Sequence, residues 1–160
     1  MLLLAASRPA SAQSSIQRYL ASLRLGDGIK QIEMVYPPTR KWQRQKEPKG
    51  GVVRIRIERE DSEWFPAKVK TVLLGMRRGR LVHIRLVYDK EYSRQKPFGE
   101  LAVDLSLIYG EPRRYRESYF WWDSSTVLAV AKAEIKTEKG QELRTSQELM
   151  ERSYFGPFKK

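Results

Sequence analysis

Apolar residues recur at helical spacing in two long stretches of the chain. In the first stretch, Ile29, Ile32, Val35 and Tyr36 share one helix face, and the helix is predicted to end before Pro37 because proline disfavours helical backbone in the residue before it. A second helix is predicted from 97 to 109, with the apolar face Phe98, Leu101, Ala102, Leu105, Ile108 and Tyr109. Weaker patterns predict one short helix between Ser14 and Leu23 and another between Ser146 and Tyr154.

Strict alternation of apolar and polar residues predicts strands elsewhere. Val53, Ile55 and Ile57 alternate with charged residues, which is typical of a half-buried strand. Two apolar-alternating runs on either side of a glycine-bearing turn at 75–79 predict a hairpin, whose second strand should bury Val82, Ile84, Leu86 and Tyr88. The strands of a later meander are predicted at 119–122, 126–135 and 141–145, a loop at 39–51 and a charged connector at 89–96.

One order of residue types occurs twice, at 34–42 and at 107–115. In both places a helical stretch ends in two apolar residues and a tyrosine, and a proline break, a basic pair and an aromatic residue follow. We therefore expect a single α+β domain at 14–155 built of two pseudo-repeats, about 14–90 and 91–155. Each repeat would place a helix before antiparallel strands, and both would share one mainly antiparallel sheet with the helices on one face.

These motifs resemble a known group of proteins. The segments 25–32 (LGDGIKQI), 36–38 (YPP) and 79–84 (GRLVHI), with 109–112 (YGEP) and 121–123 (WWD) in the second half, are similar to the beta-lactamase-inhibitor-protein-like and BamE-like small bacterial envelope modules. The resemblance covers residues 20–147 and implies an exported protein that binds another protein or an envelope component. The sequence contains no lipobox cysteine, and no functional residue of those modules can be assigned to a position here.

The first residues indicate export. Residues 1–12 include the apolar run Leu2–Leu4 and the small-residue pattern Ala10-Ser11-Ala12, which is typical of a signal-peptide cleavage site, although no basic segment precedes them. We interpret 1–12 as a truncated signal peptide, which places the mature protein in the bacterial periplasm or outside the cell. A mitochondrial presequence and an ordinary frayed terminus remain the alternatives.

Composition narrows the choice of partner. The 160 residues carry a formal net charge of +12, which favours an acidic protein, an anionic envelope polymer or nucleic acid. The segment from Arg40 to Arg59 contains eight basic residues and only two acidic ones, Glu47 and Glu58. No apolar run is long enough to span a bilayer, so no transmembrane segment is predicted, and the oligomeric state is left open.

Basic residues next to aromatic ones are the candidate binding residues. Such pairs stack on planar groups, neutralise acidic ones and dominate protein interfaces. The predicted partner-binding residues are Arg40, Lys41, Trp42, Arg44, Arg54, Arg56, Arg113 and Arg114. A solvated basic surface without a partner is the alternative interpretation, and at least one tryptophan of 121–122 is expected in the core.

No residue pattern supports catalysis. The chain has no cysteine, which excludes disulfides, thiolate metal sites and a cysteine nucleophile. His83 is the one histidine, and it is expected on the strand face shared with Leu81, Arg85 and Val87. No nucleophile–base set, phosphate loop or dinucleotide motif accompanies it. We therefore expect a non-enzymatic binding module without a cofactor or metal, and a nucleic-acid-binding protein, ribosome-associated or organellar, that uses the Arg40–Arg59 stripe is the alternative function.

Overall fold

The computed structural model describes residues 15–47 and 50–155, and its fold is α+β, as the sequence predicted. The helices are α1 (Ile29–Val35), α2 (Lys90–Gln95) and α3 (Phe98–Tyr109). The strands are β1 (Tyr19–Leu20), β2 (Leu23–Arg24), β3 (Gln43–Lys46), β4 (Val52–Glu58), β5 (Val69–Arg77), β6 (Arg80–Tyr88), β7 (Arg113–Tyr115), β8 (Ser118–Trp122), β9 (Thr126–Thr137) and β10 (Gly140–Glu151).

A mainly antiparallel eight-stranded sheet forms the centre of the described chain. Its strands follow the order β3-β4-β5-β6-β10-β9-β8-β7, and β1 and β2 make a separate two-stranded sheet. The strands β3 to β6 therefore form one lateral half of the large sheet, and β7 to β10 form the other half. Between them, β6 pairs with β10 over five residues, with Ile84 opposite Leu149.

The helices begin and end where local chemistry allows it. The Asp89 carboxylate accepts a hydrogen bond from the Tyr92 backbone N–H at 2.8 Å and so caps the first turn of α2. α3 starts directly after Pro97 and ends at Gly110, whose φ of +83° lies in the left-handed region that favours glycine.

One face of the large sheet carries the main core. Ile32 and Tyr36 from the α1 region and Leu101 and Ala102 from α3 pack in the same buried cluster as the apolar side chains of this face. Register pairs place six of those side chains in one row across the sheet, namely Ile55, Leu74, Ile84, Leu149, Leu128 and Trp121. α2 lies on this side too, because Thr145 donates hydrogen bonds to Ser93 Oγ at 3.1 Å and to the Lys96 carbonyl at 2.9 Å.

The stronger sequence patterns are confirmed. The two long helices lie close to their predicted limits, and β4, the β5–β6 hairpin, β8 and β9 occupy their predicted places. Trp121 is 1% exposed, so one tryptophan of the pair does enter the core. Leu101 is also buried, but Ile108 is 61% exposed, which corrects the expectation that it faces the sheet.

Four weaker predictions are wrong. The predicted first helix is the β1–β2 hairpin, in which Ala21 and Ser22 have φ values of +50° and +67° in a tight turn. The predicted last helix is mostly β10, where pairing with β6 and β9 on both sides overrides the local helical pattern. The predicted loop 39–51 contains β3, and the charged connector contains α2.

A bulge shifts the pattern on β6. Gly75 pairs with His83 but Met76 pairs with Leu81, so Val82 is the extra residue between them. Leu81 therefore joins the core, in the place expected for Val82, while His83 stays on the opposite face. The bulge explains why strict alternation misplaced these two residues.

The predicted signal segment at 1–12 lies outside the described residues. Across the residues that the structure describes, none of the helices has the length and hydropathy needed to cross a membrane.

Candidate functional site

The second face of the large sheet, which we call the open face, lies away from α1 and α3. A row of directly paired residues crosses it over all eight strands, and its members are Gln43, Arg56, Leu73, Arg85, Glu148, Ala129, Phe120 and Arg113. The two halves of this row differ in character. Charged and polar side chains dominate on β3, β4, β6 and β10, whereas the β9–β8 end of the row is apolar.

The polar half of the open face contains a groove. A cavity of about 640 Å³ lies over β3 to β6 and β10 and is lined by Arg54, Arg56, Leu73 and Arg85 among others. A second cavity of about 380 Å³ shares Arg56, Leu73 and Arg85 and extends to Lys136. We call the two together the groove. Three arginines of the open face line it against one carboxylate, namely Arg54, Arg56 and Arg85 against Glu148.

His83 lies at one end of the groove, between Arg54 and Glu148. Arg54 Nη1 lies 2.6 Å from His83 Nδ1, and a guanidinium can only donate, so Nδ1 must be an unprotonated acceptor. The proton of the neutral ring is therefore on Nε2, from which it is donated to Glu148 Oε2 at 2.8 Å. The Tyr154 ring stacks on the imidazole at 5.8 Å, and its hydroxyl accepts a hydrogen bond from Arg54.

Glu148 is held as an anion by this network. Burial alone would raise the pKa of Glu148, but the hydrogen bond with His83 and the positive charges of Arg85 and Arg54 outweigh it and lower that pKa. Since the carboxylate is ionised, it can bind His83 with one oxygen and lie 3.3 Å from Arg85 Nε with the other.

Arg85 keeps hydrogen-bond donors free in the groove. Its Nε is buried without a hydrogen-bond partner, although it forms an ion pair with Glu148. Arg56, in contrast, donates from Nε to Glu58 Oε1 at 2.6 Å, and Glu58 also accepts from the Thr71 hydroxyl at 3.0–3.1 Å. Each arginine therefore has a fixed carboxylate partner, Glu58 further along β4 for Arg56 and Glu148 of β10 for Arg85, while Leu73 lies between the two arginines.

The other half of the open face is covered by the chain itself. After β10 the backbone turns, and Tyr154 and Phe155 pack against a small apolar cluster of Phe120, Val127, Ala129 and Met150. The Phe120 and Phe155 ring centroids lie 5.4 Å apart. The groove is thus the part of the open face that this terminal segment leaves uncovered in the described chain.

Gly75 shapes the floor next to His83. A Cβ at this position would lie 3.0 Å from His83 Cβ and 3.4 Å from Arg54 Nη1, so β5 needs a glycine where these two side chains cross it. Sequence reasoning had placed Gly75 in the hairpin turn, whereas the turn is at Arg78–Gly79 and Gly75 lies within β5.

We predict that Gly75→Ala lowers the free energy of unfolding by about 1–3 kcal/mol, because the added methyl group overpacks the His83–Arg54 contact. Gly99→Ala is the matched control: its Cβ would meet nothing within 4 Å in α3, so that variant should be slightly more stable than the wild type. Denaturant unfolding of both variants provides the measurement. Equal behaviour of the two would contradict the close packing at Gly75.

The predicted binding residues are divided among several places. Arg54 and Arg56 lie on the open face as expected, but Arg54 is only partly exposed because it binds Glu47, His83 and Tyr154. Arg44 points to the other side, where its guanidinium lies 4.0 Å from Glu33 of α1.

Residues 40–42 also differ from one another. Arg40 forms ion pairs with Asp61 and Glu60, and the hydrogen bond and charge of Asp61 raise the pKa of Arg40. Lys41 is exposed at the edge of the sheet. Trp42 corrects an expectation: it is 4% exposed and its indole N–H donates to the Asp61 carbonyl at 3.1 Å, so its ring is a core element and not a surface for a partner.

Arg113 and Arg114 lie at the far edge of the sheet on β7. Their guanidinium groups stack over Trp122 and Tyr119, each 5.8 Å from the ring centroid. The structure therefore does not bring them together with the residues of the groove. Sequence reasoning missed Leu73, Arg85 and Glu148 as groove residues, although the alternation on β6 had already placed Arg85 and His83 on one face.

Comparison with known proteins adds no relative. No family model, no curated protein and no solved structure matches this chain. Over residues 15–47 and 50–155, no group of three or more metal-binding side chains is arranged to hold an ion.

Proposed function

We propose that this protein is a non-enzymatic binding module whose groove on the open face holds an acidic segment of a partner protein. The observation that carries the proposal is the contrast between the two sheet faces. One face is filled by α1, α3 and the core, whereas the other exposes a groove lined by Arg54, Arg56 and Arg85 against Glu148. Arginine and apolar side chains in one concave surface are typical of protein interfaces.

A binding role is favoured over catalysis by the state of His83. A general base needs a free ring nitrogen within reach of the proton that it removes. Both nitrogens of His83 are already engaged, one with Arg54 at 2.6 Å and the other with Glu148 at 2.8 Å. The side chain is also 6% exposed and lies under the Tyr154 ring. This arrangement supports a structural role for His83 in holding Arg54 and Glu148 in place.

The proposal includes a two-unit architecture. We infer that α1 with β3–β6 and α2–α3 with β7–β10 are the two pseudo-repeats, joined at the β6–β10 pairing. Support comes from the strand order, in which β3-β4-β5-β6 is followed by β10-β9-β8-β7, so that each strand has a counterpart at the same distance from the centre. Export to the periplasm or the cell exterior also remains part of the proposal. The mass of the mature protein in its native organism tests it.

The experiment that tests the binding proposal is a pair of NMR titrations. One uses a poly-glutamate peptide and the other a single-stranded oligonucleotide of equal charge. We expect the peptide to shift the backbone amide signals of the groove strands, with Leu73 and Arg85 among the largest changes, and to leave α1 and α3 unchanged. Binding of both probes should weaken with salt, more steeply for the probe that releases more counterions.

The alternative function has a distinct outcome in the same experiment. If the oligonucleotide binds more tightly and its shifts cluster at Arg40, Lys41 and Arg44 or along β7, the protein binds nucleic acid and the proposal fails. Shifts spread evenly over the surface with both probes would also contradict it, because they would indicate a net-charge effect without a site.

A further inference from the structure

We propose that Arg56, Leu73 and Arg85 form a subsite for a single carboxylate, supplied by a glutamate or aspartate side chain of the partner protein. The inference rests on the proposed function and makes it specific. It names the three residues that would receive the acidic group and the chemistry that they select.

The three residues are neighbours in the sheet. Arg56 of β4 is paired with Leu73 of β5, and Leu73 with Arg85 of β6, so all three project into the groove from adjacent strands. Since neighbouring strands are about 4.8 Å apart, the two arginine backbones are separated by roughly 10 Å, with the leucine between them. Both guanidinium groups can reach the space above Leu73 from this distance.

Fixed carboxylates hold the two arginines in place. Glu58 holds Arg56 through Oε1 at 2.6 Å and is itself anchored by the Thr71 hydroxyl. Glu148 lies 3.3 Å from Arg85 Nε and is anchored by His83. Because each guanidinium is tied to a fixed carboxylate, its remaining N–H groups keep a defined position in the groove that contains Leu73. Preorganised donors cost less conformational entropy on binding than free side chains do.

The Arg85 guanidinium has the stronger need for a ligand. Among the residues that the structure describes, it makes no hydrogen bond; its Nε is buried against Glu148, and the 29% of the side chain that stays exposed is the part that a ligand can reach. A ligand carboxylate would give it charge-assisted hydrogen bonds, which are about twice as strong as neutral ones. The aliphatic stem of an acidic side chain would meanwhile cover Leu73, which is partly exposed. A carboxylate on a short apolar stem therefore fits better than inorganic phosphate, which has no such stem.

The first test supplies the carboxylate within the chain. Leu73→Glu places an acidic side chain between the two arginines, and Leu73→Gln is its uncharged control. We expect the melting temperature of Leu73→Glu to exceed that of Leu73→Gln by about 3 °C at pH 7, since one charge-assisted bond in a domain of this size gives a shift of that order. The difference should vanish at a pH low enough to protonate the new carboxyl group. Equal melting temperatures at pH 7 would overturn the subsite.

The second test uses a defined ligand. A labelled extended peptide of glycine and serine with a central Glu-Leu-Glu is compared with the same peptide carrying Gln-Leu-Gln. We expect wild-type protein to bind the acidic peptide at least tenfold more tightly, Arg85→Gln and Leu73→Glu to lose that preference, and Arg85→Lys to retain part of it. Lys30→Gln removes the same charge from the exposed side of α1 and should change nothing.

The outcomes separate the two proposals. If poly-glutamate shifts the groove signals but Arg85→Gln binds the acidic peptide as tightly as wild type does, the groove binds acidic protein and the subsite is wrong. If Leu73→Glu is more stable than Leu73→Gln but neither the peptide nor poly-glutamate binds at the groove, the carboxylate subsite is supported and the proposed function is wrong. Equal binding of the Glu and Gln peptides by the wild type also overturns the subsite.

Discussion

Trp121→Ala should lower the free energy of unfolding by about 3–5 kcal/mol, the range for removing a buried tryptophan from a core. The side chain is 1% exposed and is the last member of the core row that includes Leu128 and Leu149. Its indole N–H also donates to the Gly110 carbonyl at 2.8 Å, directly after α3. The substitution therefore removes apolar burial and separates the end of α3 from β8 at the same time.

The measurement is denaturant unfolding followed by circular dichroism, with Trp64→Ala as control. Trp64 is 45% exposed, and its main contact is the Tyr36 ring with centroids 5.3 Å apart, so its removal should cost about 1 kcal/mol or less. A loss below 1 kcal/mol in Trp121→Ala would contradict its place in the core. If the variant does not fold at 25 °C, the milder Trp121→Phe should fold and still lose stability, because it lacks the Gly110 hydrogen bond.

Glu148→Gln should lower the free energy of unfolding at pH 7 by about 2–4 kcal/mol, somewhat less than for a fully enclosed ion pair because the side chain keeps some exposure. The NH2 group of the glutamine would replace one carboxylate oxygen and would face either Arg85 or the Nε2 proton of His83. Both of these are hydrogen-bond donors, as the NH2 group is. One guanidinium would thus lose its counter-charge on the sheet face. Glu138→Gln, in an exposed turn, is the matched control and should be neutral.

The pH dependence of this difference has a definite sign. Because the pKa of Glu148 is lowered in the folded protein, its contribution to stability is complete above the unfolded value of about 4.3 and is lost as the pH falls through the folded value. The gap between wild type and Glu148→Gln should therefore be full at pH 7 and shrink in acid. Urea unfolding at pH 7, 5 and 3 measures it. A gap that stays constant would mean that folding does not lower the pKa of Glu148, and a gap that widens in acid would mean that folding raises it.

Local pattern was enough for the elements whose sequence and environment agree. α3 and the β5–β6 hairpin were predicted because a helical period and a period of two match the faces that the fold buries. β10 was missed in its second half because it is paired on both sides, by β6 and β9, and its residues need not follow a local strand signal. The bulge at Val82 was missed for a related reason, since it depends on the partner strand and not on β6 itself.

The groove residues were even harder to predict from local sequence pattern. Arg85 and His83 could be placed on one face of β6 from the sequence, but their partner Glu148 lies in a segment predicted to be helical. Arg54 was expected as a free surface charge, and its contacts with His83 and Tyr154 link positions 29 and 100 residues apart. Such distant pairings determine which arginines remain free to bind a ligand, and no local pattern reports them.

The central position of β10 has a consequence for how the chain folds during synthesis. It is the last described strand to leave the ribosome, yet it lies between β6 and β9, so both of these strands keep an unpaired edge until it arrives. An exposed edge backed by Ile84 or Leu128 is a template for pairing with another chain. Nascent chains that lack β10 therefore expose the edges of both β6 and β9, and truncation before β10 should favour aggregation.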